Sequence, residues 1–318
     1  MSKSFLRTIT TLLLVTALSF AYGIAYADST EAVEKYTAII QRNPNDDSAY
    51  NNRGKAYLEL EQYDLAIQDF DKSIELNPNN ERTYEMRGLA YGFLKQYKRA
   101  IDDFDKYVSL NPNDSTIYYI RGTTYINLGQ YERAIQDFDK AILLNPNYTD
   151  AYNNRGNAYA DLKQYEKAFP DYTKAIQINP NYANAYLNLG RAYEDLKQYN
   201  KAIPYLNKAI SLKPSYWRAY NHRGISHYYL NQVEQAIQDF TKAIELNPKD
   251  DSIYYVRGAL YCKIGNYEKA VEDFNMTLQL NPNRVGAYEM RGISYQKLGN
   301  KEKAKSDLAK YKELSRKG

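Results

Sequence analysis

The 318-residue sequence holds one cysteine, Cys262, and two histidines, His222 and His227. A single thiol excludes an intramolecular disulfide, so the chain has to be stable by packing alone. The histidines stand five apart, which on a helix gives them no common metal-binding face, and no second cluster completes a site. His227 reads as a packing residue, and Cys262 as a small half-buried one. The patterns GxGxxG, GxxxxGK[ST] and HExxH are missing. No catalytic residue, metal or cofactor is therefore assigned, and enzymatic activity is not expected. Glycine (15) and proline (10) are sparse, whereas tyrosine is present 35 times and charged residues form an ordinary quarter of the chain. That is the composition of a folded, helical, water-soluble protein.

The one apolar run lies at the start. Lys3 and Arg7 precede Ile9 to Phe20, and Ala25, Tyr26 and Ala27 supply an A-x-A arrangement. Residues 1–27 read as a signal peptide cleaved after Ala27. The competing reading is a retained membrane anchor, which Thr10, Thr11, Thr16, Ser19 and Gly23 weaken. No cysteine near the cleavage point invites lipid attachment. The expected location is exported, in a bacterial periplasm or outside the cell, with no stable membrane insertion once the signal is removed. Three N-x-S/T matches, at Asn113, Asn147 and Asn275, read as chance in an Asn-rich chain.

The formal charge of +4 belongs to the ends. Residues 1–27 carry two basic side chains and no acid; the last eighteen carry seven basic and three acidic; the body, 28–300, is near −2. A basic groove for nucleic acid is not expected.

Between the ends one sentence repeats. Pro44, Pro78, Pro112, Pro146, Pro180, Pro214, Pro248 and Pro282 are each 34 residues apart, and glycines from Gly54 to Gly292 and alanines from Ala66 to Ala304 keep the same period. Within a copy, Tyr152, Tyr159 and Leu162 share one helical face with Gly156 admitting a close partner. After a polar turn such as "LKQY", Ala168, Tyr172, Ala175 and Ile176 form the matching stripe. Asn-Pro ends the second helix.

Tyr50, Arg53-Gly54, Tyr57, Ala66, Phe70 and Pro78 resemble the tetratricopeptide repeat pattern of aromatic, Leu-Gly, Tyr, Ala, Phe and Pro. Eight copies run 47–80, 81–114, 115–148, 149–182, 183–216, 217–250, 251–284 and 285–318, with a half repeat, 29–44, as an N-terminal cap helix. The resemblance implies an all-α fold, a right-handed superhelical solenoid of helix-turn-helix repeats, in which stacking creates the core no single hairpin has. The charged last helix, with Lys301, Lys303, Lys305 and Lys310, reads as the closing cap, with a basic docking site as the alternative.

One departure is systematic. Where the family has Leu before the glycine, seven copies have Arg: Arg53, Arg87, Arg121, Arg155, Arg223, Arg257 and Arg291. Sixteen residues later stand Asp69, Asp103, Asp137, Asp171, Asp239, Asp273 and Asp307, and the copy with Leu189 has Tyr205 there. An Arg–Asp bridge inside each repeat is expected.

The resemblance further implies that the inner, concave surface of the first helices binds an extended peptide or helix of a partner, at positions that vary between copies. Tyr148, Tyr182 and Tyr216 close copies three to five, followed along the first helices by Asn153 and Asn157, Asn188, then Arg218 and His222. That order partly echoes the family's carboxylate clamp, with Asn153 in place of a lysine and His222 in place of the arginine. Asn52, Asn154 and Asn188 add a partial asparagine ladder able to bond a peptide backbone. In the same region Pro170 and Pro204 fall inside second helices, implying either a local change of curvature or an outer face that tolerates them. The expected function is a non-enzymatic scaffold or adaptor. The alternative is a cell-envelope polysaccharide- or peptidoglycan-associated protein using tyrosines on sugar rings. A tether through the basic tail is disfavoured by its short extent.

Overall fold

The structure, a computed structural model, describes residues 26–316, so the predicted signal segment lies outside the described residues up to position 25. Those residues form seventeen α-helices and no strand. The chain divides into two compact units between Ile178 and Asn179.

Unit 1 contains α1 (Tyr26–Arg42) and four hairpins: α2 (Asp47–Glu59) with α3 (Tyr63–Leu76), α4 (Glu81–Phe93) with α5 (Tyr97–Leu110), α6 (Ser115–Asn127) with α7 (Tyr131–Leu144), and α8 (Thr149–Asp161) with α9 (Tyr165–Ile178). Unit 2 contains α10 (Ala183–Asp195) with α11 (Tyr199–Leu212), α12 (Trp217–Tyr229) with α13 (Val233–Leu246), α14 (Asp251–Lys263) with α15 (Tyr267–Leu280), and α16 (Val285–Lys297) with α17 (Lys301–Ser315). Within each unit, every second helix packs on its own first helix and, where another hairpin of that unit follows, on the next first helix as well.

The periodic residues set this register. In the second hairpin, a Cβ added at Gly88 would stand 2.5 Å from the Phe104 ring, so only glycine lets that ring reach the first helix's backbone. Phe70, Phe104, Phe138, Tyr172, Phe240 and Phe274 repeat this contact and are almost fully buried, as are the alanines four residues before them. Truncating one such ring costs about 3–5 kcal/mol. Each hairpin turns through one left-handed residue, such as Lys95 (φ 60°) or Gly265 (φ 76°), with the next amide bonding back across the turn, Gln96 N to Tyr91 O at 2.8 Å. After α1 and the second helices of the first seven copies an Asn-Pro turn, or Lys213-Pro214 after α11, stops the ladder, and Asp46, Asp114 and Asp250 cap the helices that follow them. Pro170 and Pro204 lie on exposed sides of α9 and α11, which continue through them.

All seven Arg–Asp pairs form inside their own repeats. In each, Nε donates to Oδ2 at 2.7–2.9 Å and Nη2 to Oδ1 at 2.5–2.7 Å. The third nitrogen reaches the second helix of the preceding copy, sixteen residues back. Arg87 meets Asp71 and Arg121 meets Asp105, both at 2.6 Å; Arg223 meets Asn207 at 2.6 Å and Arg257 meets Thr241 at 2.9 Å. One guanidinium thus clamps three helices. Burial works against the charge on Arg87, but its bonds to Asp103 and Asp71 outweigh that and raise its pKa. Tyrosines three before and four after flank the planar group, Tyr84 at 5.8 Å and Tyr91 at 5.9 Å from Arg87. At the position of the first of these, the hydroxyls of Tyr84, Tyr118 and Tyr288 donate to Pro78, Pro112 and Pro282 carbonyls. The abundance of tyrosine follows: the ring packs and faces a cation while its hydroxyl satisfies a turn.

Candidate functional site

The predicted site residues fall on both sides of the division and are described unit by unit. In unit 1, Tyr148 stands at the start of α8 and packs on Tyr119 of α6, ring centroids 5.0 Å apart. Asn154 donates to the Tyr119 hydroxyl at 3.1 Å and accepts from Asn153 at 3.1 Å. Tyr148 and Asn153 are thus joined through Tyr119 and Asn154. Asn153 is a correction to the expected groove lining: it is 4% exposed, and with its amide bonded inside the fold it backs the surface. Asn157, half-buried, accepts from Tyr172 of α9 at 2.9 Å, so its oxygen serves the hairpin.

In unit 2, Tyr182 begins α10 and Asn188 lies on it, both half-buried. Tyr216 is buried and donates to Asn184 at 2.7 Å, so it too supports the face from behind. Arg218 lies over Trp217, 4.7 Å from its ring. Burial lowers the Arg218 pKa; Tyr216 and Asp250 oppose that, and the neighbouring charge of Arg191 adds to it. His222 shares a 2.7 Å hydrogen bond with Glu194, whose other oxygen accepts from Ser226 at 2.8 Å. Three side-chain bonds therefore hold α10 and α12 edge to edge, with Asn188, Arg191, Arg218 and Asn221 half-buried along them.

Arg191, Glu194 and Asn184 were not among the residues singled out from the sequence. Arg191 occupies the repeat position that Lys55 holds in the first copy, a signal carried by the 34-residue period and not by the clamp order. His227 pairs with Gln232, away from His222. Cys262 sits 3.1 Å from the Ser294 hydroxyl, and burial pushes its thiol up.

Profiles described as tetratricopeptide repeat match 48–80, 149–182, 217–250 and 252–284, and, in other versions, 81–114, 183–216, 285–317 and 104–136; one described as TPR repeat matches 122–163. The chain belongs to the tetratricopeptide repeat family. No curated protein matches it. Among solved structures, a tetratricopeptide repeat protein from Parabacteroides merdae is similar at a TM-score of 0.61 and 20% identity, over 82% of this chain and 99% of that one. A protein titled YrrB, "a TPR protein with an unusual peptide-binding site", is similar at 0.52 and 27% identity, over 59% of this chain and 96% of that one. MamA is similar at 0.50 and 30% identity, over 53% of this chain and 92% of that one. Tetratricopeptide repeat proteins are in general non-enzymatic scaffolds for protein interaction, and this chain has that architecture. Among the described residues no helix is long and apolar enough to cross a membrane.

Proposed function

We propose that this tetratricopeptide protein is an exported adaptor that holds an extended segment or helix of a partner protein along its first-helix faces, without covalent chemistry. One observation carries the reading. The frame residues recur copy after copy in one geometry, while the half-buried positions along the first helices change from Lys55 to Asn157, Arg191 and Ile225 at a single register position. A surface that varies over a constant frame is suited to reading the side chains of a bound chain. The peptide-binding site named for YrrB adds support by likeness. Export rests on the A-x-A segment at residues 25–27 and is tested by N-terminal sequencing of the protein from fractionated cells.

A second reading has its own observation. Tyr229 is 60% and Tyr228 40% exposed, and Tyr229 stacks on Tyr199 with ring centroids 4.6 Å apart. An exposed aromatic platform of this kind suits a sugar ring of a cell-envelope polymer.

Crosslinking in the native cells, with Tyr182→Ala and Asn188→Ala variants in parallel, separates the two. Loss of a protein prey band in the variants supports the adaptor. Unchanged prey, together with sedimentation on isolated cell walls that Tyr229→Ala abolishes, supports the polymer reading.

A further inference from the structure

With Cys262 as its one thiol the chain cannot staple itself by a disulfide, yet unit 2 holds a pair of side chains arranged for a different covalent link. Tyr199 opens α11 and Tyr229 closes α12. Their rings stack with centroids 4.6 Å apart and planes 7° from parallel. A tyrosine stands at the Tyr199 position in six of the eight copies, so that member of the pair belongs to the repeat. The other member does not. Its equivalents are Glu59, Asn127, Asp161, Asp195, Lys263 and Lys297, and Phe93 alone is also aromatic.

Phe93 supplies the comparison. In unit 1 it closes α4 and stacks on Tyr63 of α3 in the same way, centroids 5.0 Å apart and planes 14° from parallel, but it has no hydroxyl. It is also half-buried, whereas Tyr229 is 60% exposed. The tyrosines that flank the frame arginines are buried or half-buried throughout. A second stacked pair in unit 2, Tyr193 with Tyr205, is wider at 5.5 Å, and both of its rings are half-buried. Tyr199 and Tyr229 therefore combine three properties: two phenols, close parallel rings, and one ring open to a reagent in solution. A radical formed on the exposed ring has its reaction partner already in place, which removes the entropy cost of an encounter.

We propose that Tyr199 and Tyr229 are a site of oxidative coupling, at which a haem peroxidase using hydrogen peroxide joins α11 to α12 by one carbon–carbon bond. Each phenol gives up one electron and its hydroxyl proton. The two ring radicals join at carbons adjacent to the oxygens, and the hydrogens on those carbons move to the oxygens, restoring both phenols. The pair loses two electrons and two protons in all; hydrogen peroxide takes them and becomes two molecules of water. The new bond ties the fifth copy to the sixth and closes a loop of about thirty residues, which restricts the unfolded chain as a disulfide does. Coupling at this pair requires neither the adaptor nor the polymer reading to hold.

The test treats the full chain, at low protein concentration, with a haem peroxidase and hydrogen peroxide, and maps the product by digestion and mass spectrometry. One crosslinked peptide containing Tyr199 and Tyr229 is expected, two hydrogens lighter than its parts and carrying the blue fluorescence of coupled phenols. The chain should stay monomeric on a denaturing gel, and its denaturation midpoint should rise. Tyr199→Phe and Tyr229→Phe keep both rings, lose one hydroxyl each, and should abolish that peptide. Phe93→Tyr should create a second crosslinked peptide with Tyr63, in lower yield because that pair is half-buried.

Absence of coupling overturns the proposal. So does coupling chiefly between Tyr193 and Tyr205, or chains linked to one another through Tyr228 or Tyr229. Persistence of the fluorescent crosslink at full yield in Tyr199→Phe also overturns it, since another tyrosine is then the partner.

Discussion

Units 1 and 2 have the same frame and opposite first-helix chemistry. Arg87 and Arg223 make the same two bonds to their own aspartates, Asp103 and Asp239, and a third bond to the preceding helix. On the first-helix face the resemblance ends. Where unit 1 has Lys55 and Glu85, unit 2 has Arg191 and Asn221; where unit 1 has Leu58 and Met86, unit 2 has Glu194 bonded to His222. The difference teaches that stacking and recognition are assigned to separate sets of positions. The Arg–Asp frame is kept while first-helix residues change, including the pair that joins neighbouring hairpins in unit 2, Glu194 with His222.

The comparison is broken most severely at the frame. Asp103→Ala and Asp239→Ala should each destabilise by about 3 kcal/mol, because each leaves a half-buried guanidinium short of two bonds. Equal shifts of the denaturation midpoint in the two variants are expected. A much smaller effect in one unit would show that the frames are not equivalent.

Glycine clearance separates the units next. A Cβ at Gly88 meets the Phe104 ring at 2.5 Å, and one at Gly224 meets the Phe240 ring at 2.9 Å. Gly88→Ala should cost about 2 kcal/mol and Gly224→Ala about 1 kcal/mol by the same measurement.

Glu85 makes a pH dependence that unit 2 lacks. Burial first, then Asp114, pushes its carboxyl up from 4.5 to about 7, so the folded chain retains a proton that the unfolded chain has released. Its stabilising contribution is therefore fully present below about pH 4.5 and is lost as pH rises through about 7. Relative to Glu85→Gln, the wild-type chain should lose about 1–3 kcal/mol across that window in denaturation curves.

The smallest effect concerns the turns. Lys95 holds φ at 60° where unit 2 has Gly265 at 76°. Lys95→Gly should raise the midpoint by the equivalent of about 0.5–1 kcal/mol, and Gly265→Ala should lower it by a similar amount.

Much of the fold was legible because a 34-residue period constrains every copy at once. Proline, glycine and alanine marked the helix ends and contacts, and the shared exception, Leu189 with Tyr205, pointed to the Arg–Asp pairing. The third arm of each arginine was hidden, because its acceptor changes from Asp71 to Asn207 to Thr241 and offers no fixed residue type to follow. The first-helix face was only half legible. Tyr148, Tyr182, Asn188, Arg218 and His222 stood out as variable, but variation does not tell a residue that lines a surface from one that supports it. Asn153 and Tyr216 belong to the second kind, since their polar groups are bonded within the fold and their surfaces are covered. Arg191 was missed because the clamp order led past it.

Site-specific photocrosslinking in the native cells tests most directly whether recognition is confined to the first-helix faces. A photoreactive residue is placed at Asn188 or Asn221 on first helices, and at Lys201 or Glu234, exposed on second helices. Capture of one protein from Asn188 and Asn221 and not from Lys201 or Glu234 is the predicted result. Capture of that protein from the second-helix positions alone contradicts the account.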